Sequence, residues 1–169
     1  MNIELVTAQI EDIEEINQLV NLSYRGTEGW TRETEIVAGE RSTPDEVSTY
    51  LSDPDAHLLV VKENNKIIAC ICVEQKKQDA YIGYFAVSPS YQGQGLGKQV
   101  LSKAEQYAAN QLGLKTLRMV VISQRKELIS FYERRGYRRT GEVAAYPVHL
   151  DVGIPSVEGL TIEYLEKNA

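Results

Sequence analysis

The sequence predicts a mixed α/β (α+β) domain on a mostly antiparallel central sheet flanked by helices. Three observations carry this reading. Apolar runs at His57 to Glu63, Ile67 to Glu74 and Ala80 to Val87 follow one another through short turns, as antiparallel neighbours do. The glycine-rich run Tyr91-Gln92-Gly93-Gln94-Gly95-Leu96-Gly97-Lys98 joins the last of them to an amphipathic stretch, Val100 to Leu112. The element order is β-α-α-β-β-β-α-β-α-β-β.

Each element has its own signal. Ile3 to Val6 reads as a short strand. Ile13, Ile16, Leu19, Val20 and Tyr24 recur at helical spacing, with acidic residues Glu11 to Glu15 at the start and Gly26 at the end. Thr43-Pro44-Asp45-Glu46 is a capping box that opens a short helix through Leu51. Asn64-Asn65-Lys66 turns the first strand pair, and Pro89 stops the third strand. The helix after the glycine run buries Val100, Leu101, Ala104, Tyr107, Ala108 and Leu112 and closes at Gly113. Leu117 to Ile122 is a buried strand, Lys126 to Arg135 a helix closed by Gly136, and Tyr137 to Val143 and Leu160 to Leu165 are strands. Ala144 to Gly159, with Pro147, Gly153 and Pro155, reads as irregular.

Bulk properties narrow the function. The 169 residues, 43% of them hydrophobic, suit one globular domain spanning 1–169. No apolar run approaches a membrane span, and the N-terminus lacks a secretory pattern. Cys70 and Cys72 sit one residue apart on one strand face, too close for a relaxed disulfide, so a reduced cytoplasmic protein is expected. His57 and His149 are the only histidines, and no metal site is expected. A net charge of −6 argues against nucleic acid.

The glycine run is a phosphate cradle. Glycines let backbone N–H groups approach a ligand, and those groups open into a helix N-terminus that attracts anions. A Walker A loop fails, because the position six before Lys98 is Gln92 rather than glycine. The dinucleotide pattern fails too, since Gly93-x-Gly95-x-Gly97 lacks its spacing and its place after a first strand.

The remaining match is Gln-x-x-Gly-x-Gly at Gln92, Gly95 and Gly97. Here the chain resembles the GNAT superfamily of N-acetyltransferases, whose loop of this form holds the pyrophosphate of acetyl-CoA. Phe131-Tyr132-Glu133-Arg134-Arg135-Gly136-Tyr137 resembles that family's later helix, which carries a tyrosine beside the cofactor sulfur. The resemblance spans about Asn2 to Lys167. It implies acetyl-CoA as cosubstrate, no metal, and cofactor contacts from Phe85, Val87, Gln92, Gly93, Gln94, Gly95, Leu96, Gly97, Lys98, Ser123 and Tyr132. Lys98, Arg125, Lys126, Arg134 and Arg135 supply cations near the two motifs despite the acidic total.

Acetyl transfer needs an amine that loses a proton and a thiolate that leaves. Tyr132 is the acid that the resemblance implies; its helical spacing with Leu128, Phe131 and Arg135 also fits a core aromatic. Several family members carry a glutamate at the position of Tyr81, and no carboxylate occurs from Tyr81 to Val87. The base is then Glu74, a water chain past Tyr81 or Tyr84, or His149. Acceptor contacts are expected from Tyr24, Trp30, Tyr84 and Tyr146; Trp30 beside Glu28 and Glu33 suits a cationic amine, and a structural plug equally. Ten tyrosines against two phenylalanines suit a site or an interface, and a homodimer is compatible with them. The expected partner is a small-molecule or peptide amine, with neither nucleic acid nor membrane. Two other readings stay open: a cofactor-binding sensor module on the same fold, and acyl transfer to another acceptor or from a longer acyl-CoA.

Overall fold

The computed structural model describes residues 2–25, 37–38, 41–147, 154–155 and 159–169. Seven strands form one sheet in the order β1-β3-β4-β5-β6-β9-β7, where β1 is Val6–Thr7, β3 Ala56–Glu63, β4 Lys66–Lys76, β5 Asp79–Val87, β6 Thr116–Ile122, β7 Arg138–Ala145 and β9 Thr161–Asn168. Every neighbouring pair is antiparallel except β5–β6. The predicted mixed, mostly antiparallel class is therefore observed.

Helices cover both faces. α1 (Ile13–Arg25) and α2 (Pro44–Ser52) bury Ile16, Val20 and Val47 against Leu58, Val60, Cys70 and Cys72. α3 (Leu96–Gln106) and α4 (Lys126–Glu133) bury Val100, Leu101, Ala104 and Ile129 against Ile71, Leu117, Val121 and Leu165. The Thr43 hydroxyl caps α2 by accepting from the Glu46 N–H, half of the expected capping box, while the Glu46 carboxylate pairs with Arg41. Asn64 and Asn65 both have positive φ, the pair a type I′ hairpin demands between β3 and β4.

Several boundaries differ from expectation. The first strand is Val6–Thr7 rather than Ile3 to Val6, because the ladder with β3 starts at Val6↔Val60; Ile3 packs into the core instead. The helix expected to run to Leu112 ends as α-helix at Gln106 and continues as a π-turn over Tyr107–Gln111. The stretch read as irregular contains β8 (Ile154–Pro155), which pairs with β2 (Val37–Ala38) in a separate two-stranded sheet. Gly26 lies outside the described residues.

Two irregularities of the sheet prepare the site. The parallel β5–β6 pairing ends at Tyr81↔Arg118, while β5 runs on to Val87 and β6 to Ile122, so the strands part and leave a wedge. On its other edge β5 bulges: Cys72 pairs Gly83 and Cys70 pairs Ala86, leaving Tyr84 and Phe85 opposite Ile71 alone. Tyr84 takes φ +50, and the alternation flips there. Ala80 and Ile82 face α3 and α4, whereas Tyr84 and Ala86 face α1 and α2.

Candidate active site

The glycine loop runs from the end of β5 to the first turn of α3. Gly93 (φ +82) and Gly95 (φ +81, the N-cap of α3) adopt the left-handed backbone that glycine alone takes freely. A Cβ on Gly97 would meet Phe85, Phe131 and Val87 at ordinary contact distances, 3.8–3.9 Å. The Gln92 side-chain amide donates to the Val87 carbonyl at 3.0 Å and ties the loop to the strand end.

This loop forms one wall of a cavity of about 710 Å³. Phe85, Val87, Gln92, Gly93, Gly95, Gly97 and Lys98 line it, facing Leu128, Phe131, Tyr132, Arg134 and Arg135 of α4 and its end. Among the described lining residues four are cations (Lys98, Arg125, Arg134 and Arg135) and none is a carboxylate. The local sign is thus opposite to the net charge of −6, which suits a polyanion laid on a helix N-terminus. The side chains of Gln94 and Leu96, also expected to touch the cofactor, do not line this cavity, which leaves their backbone amides as the contacts they offer. Gln94 is exposed and donates to the Ser90 carbonyl, and Leu96 is core at 2% exposure. Ser123 stands apart as well, its hydroxyl accepting from Thr161 at 2.7 Å.

A second cavity, about 520 Å³, fills the wedge between β5 and β6. Seven of the ten tyrosines line it: Tyr24, Tyr50, Tyr81, Tyr84, Tyr132, Tyr146 and Tyr164. Glu74, Lys76, Arg41 and Arg125 supply its charges. Three of the residues expected to touch the acceptor, Tyr24, Tyr84 and Tyr146, meet here; Trp30 and His149 lie outside the described residues. Glu74 pairs directly with Tyr81 in the ladder, and burial holds its carboxyl above the usual range, with Lys76 opposing. Lys76 also stacks on the Tyr81 ring at 4.6 Å.

The two cavities share Tyr24, Phe85, Arg125, Leu128 and Tyr132. Tyr132 projects from α4 between Phe131 and Tyr137, both edge-on at 5.3 and 5.9 Å. Burial, then the neighbouring Tyr24, pushes its phenol well above the ordinary value, so it keeps its proton near neutrality. Among the described residues nothing hydrogen-bonds the Tyr132 hydroxyl. Its ring belongs to the hydrophobic core at 7% exposure, as the packing reading expected.

The profile of the Acetyltransferase (GNAT) family matches residues 14–137. The chain belongs to that family. Among its relatives, the uncharacterized N-acetyltransferase YycN of Bacillus subtilis is 28% identical over 119 residues, 68% of this chain and 76% of that protein. Two solved structures share the fold at low identity. The PaiA N-acetyltransferase of Thermoplasma acidophilum, solved with coenzyme A, superposes with a TM-score of 0.73 at 19% identity over 100% of both chains. Spermidine N-acetyltransferase of Vibrio cholerae, solved with CoA and spermine, gives 0.73 at 16% identity over 98% of this chain and 95% of that one. The protein is accordingly an acyltransferase of the GNAT type. Arg41, Tyr50 and Tyr164 escaped sequence reasoning as cavity walls; the excess of tyrosine over phenylalanine was the one signal, and it names no positions.

Proposed function

We propose that the protein transfers an acetyl group from acetyl-CoA to a primary amine by direct attack within a ternary complex. The supporting observation is the junction: a cationic, glycine-walled cavity and a tyrosine-lined cavity share Tyr132 among the residues of their common wall. Cofactor and acceptor enter from opposite sides, and their reacting atoms meet where the walls are shared.

On this reading the Gly93–Gly97 amides and Lys98 hold the pyrophosphate, with Arg134 and Arg135 on the facing wall. The acyl end reaches the bulge, where Tyr84 and Phe85 have no ladder partner on either neighbouring strand, and their peptide groups are the donors available to the thioester carbonyl. A lysine-like amine has a pKa of about 10.4, so it must shed a proton before attack. Glu74 is the base: it sits across from Tyr81 on the acceptor wall, and its raised pKa brings it toward the range a base needs. The amine forms the C–N bond, the C–S bond breaks, and Tyr132 gives its proton to the departing thiolate. The buried thiols of Cys70 and Cys72 fit a reducing cytoplasm.

The test is release of free CoA thiol from acetyl-CoA across a panel of amines, followed by the mass of the acceptor. Thiol release with acetylated amine supports the proposal. Tight acetyl-CoA binding without turnover on any amine would favour a sensor module, and turnover only with longer acyl-CoA would shift the donor.

A further inference from the structure

Ser42 has no part in the reaction just described, yet it is 2% exposed and hydrogen-bonds the hydroxyl of Tyr84, itself 2% exposed. Tyr84 is the bulge residue. A left-handed φ costs a side-chain-bearing residue about 1–2 kcal/mol, and it persists only where the surroundings impose it. Those surroundings are on hand. The Tyr50 ring lies 5.0 Å away, the Arg41 guanidinium 5.6 Å above, and the Cys70 thiol donates to the Tyr84 carbonyl at 3.4 Å.

Ser42 is in turn held by α1. The Asn21 carboxamide oxygen accepts from the N–H of Arg41 and of Ser42, both at 2.9 Å, and its amide donates to the Ser42 carbonyl at 3.0 Å. One side chain therefore fixes three successive peptide units leading into the Thr43 cap of α2. A continuous hydrogen-bond chain runs from α1 through Ser42 to the hydroxyl of Tyr84, which lines the tyrosine-lined cavity, and the next residue, Phe85, lines both cavities. A hydroxyl needed only to satisfy a buried phenol would not require an anchor of its own.

We propose that Ser42 is a positioning residue for acyl transfer, holding the Tyr84–Phe85 bulge in the geometry the thioester needs, with Asn21 holding Ser42. This rests on the reading of the junction as the acyl-transfer centre. Ser42 contacts neither cavity and acts through Tyr84.

The experiment is a double-mutant cycle of Ser42→Ala, Tyr84→Phe and the pair, which remove the same hydrogen bond from either side. Each variant is read by kcat, by acetyl-CoA affinity in calorimetry and by amide exchange over residues 83–87. Each single variant is expected to lose about tenfold in kcat, the effect of displacing a reacting group slightly. Acetyl-CoA affinity should stay within about twofold, exchange over 83–87 should rise, and the double variant should fall no further than a single one. Unchanged kcat, additive losses, or unchanged exchange would overturn the proposal. If Ser42→Ala does not fold, Tyr84→Phe and the exchange readout decide. Failure of the function itself would look different, as parent protein that releases no thiol with any amine while exchange still reports on the bulge.

Discussion

Glu74 and Tyr81 stand directly opposite each other across the β4–β5 ladder, both on the wall of the tyrosine-lined cavity. Directly paired residues share a sheet face with Cβ atoms about 5 Å apart. A carboxylate on β4 therefore reaches the space that one at position 81 would occupy. Replacing Glu74 with Gln keeps the shape and removes the basicity. We expect kcat/KM to fall roughly a hundredfold, the lower end for a general base. The sign of the pH dependence follows from the raised pKa: the parent's rate climbs with pH through a value above the ordinary carboxylate range, and Glu74→Gln abolishes that limb. A full pH profile checks this. An unaltered limb would move the base to a water chain.

Gly95 carries the turn into α3 at φ +81, and a Cβ there meets no atom within 4 Å. Gly95→Val should thus fold, at a strain of about 1–2 kcal/mol, while its methyl groups enter the space of the phosphates. Acetyl-CoA affinity should drop at least tenfold, about 1.4 kcal/mol, by calorimetric titration.

Tyr132→Phe retains the ring contacts with Phe131 and Tyr137 and removes only the hydroxyl. The expected result is a kcat lower by about a hundredfold, with acetyl-CoA affinity and melting temperature close to the parent. Pre-steady-state thiol release isolates the chemical step. Undiminished chemistry would make Tyr132 a packing residue.

A purely structural variant serves as contrast. Tyr137 is 3% exposed and donates to Glu105 at 2.8 Å, and Lys167 binds the same carboxylate at 3.1 Å and the Arg135 carbonyl at 2.7 Å. These bonds lock β9 to the ends of α3 and α4. Tyr137→Phe should lower stability by about 1–3 kcal/mol in urea unfolding and leave the acetyl-CoA affinity of the folded protein unchanged.

Much of this was legible in the sequence because the signals are local. Hydrophobic period, the Thr43 cap, the Asn64-Asn65 turn and the glycine spacing are each contained in a few residues, so the sheet, its helices and the glycine loop could be read directly. The bulge could not. Tyr84 adopts a backbone that its own identity disfavours, imposed by partners as far as 42 positions away at Ser42. The tyrosine-lined cavity was equally hidden, since its walls come from α1, α2, β4, β5, β6, α4, β7 and β9 and no short pattern links them. Ser123, expected at the cofactor, follows β6 but lines neither cavity, and its hydroxyl accepts from Thr161 on β9, a pairing no local pattern announces.

The central claim is acyl transfer from acetyl-CoA to an amine at the junction of the two cavities. Its most direct measurement is the time course of free-thiol release from acetyl-CoA with a saturating primary amine, taken on the parent protein and on Tyr132→Phe. The account predicts amine-dependent thiol release, equal in amount to acetylated amine, that slows sharply when the Tyr132 hydroxyl is removed. Thiol release that is independent of amine, or absent for every amine while acetyl-CoA binds tightly, would contradict it.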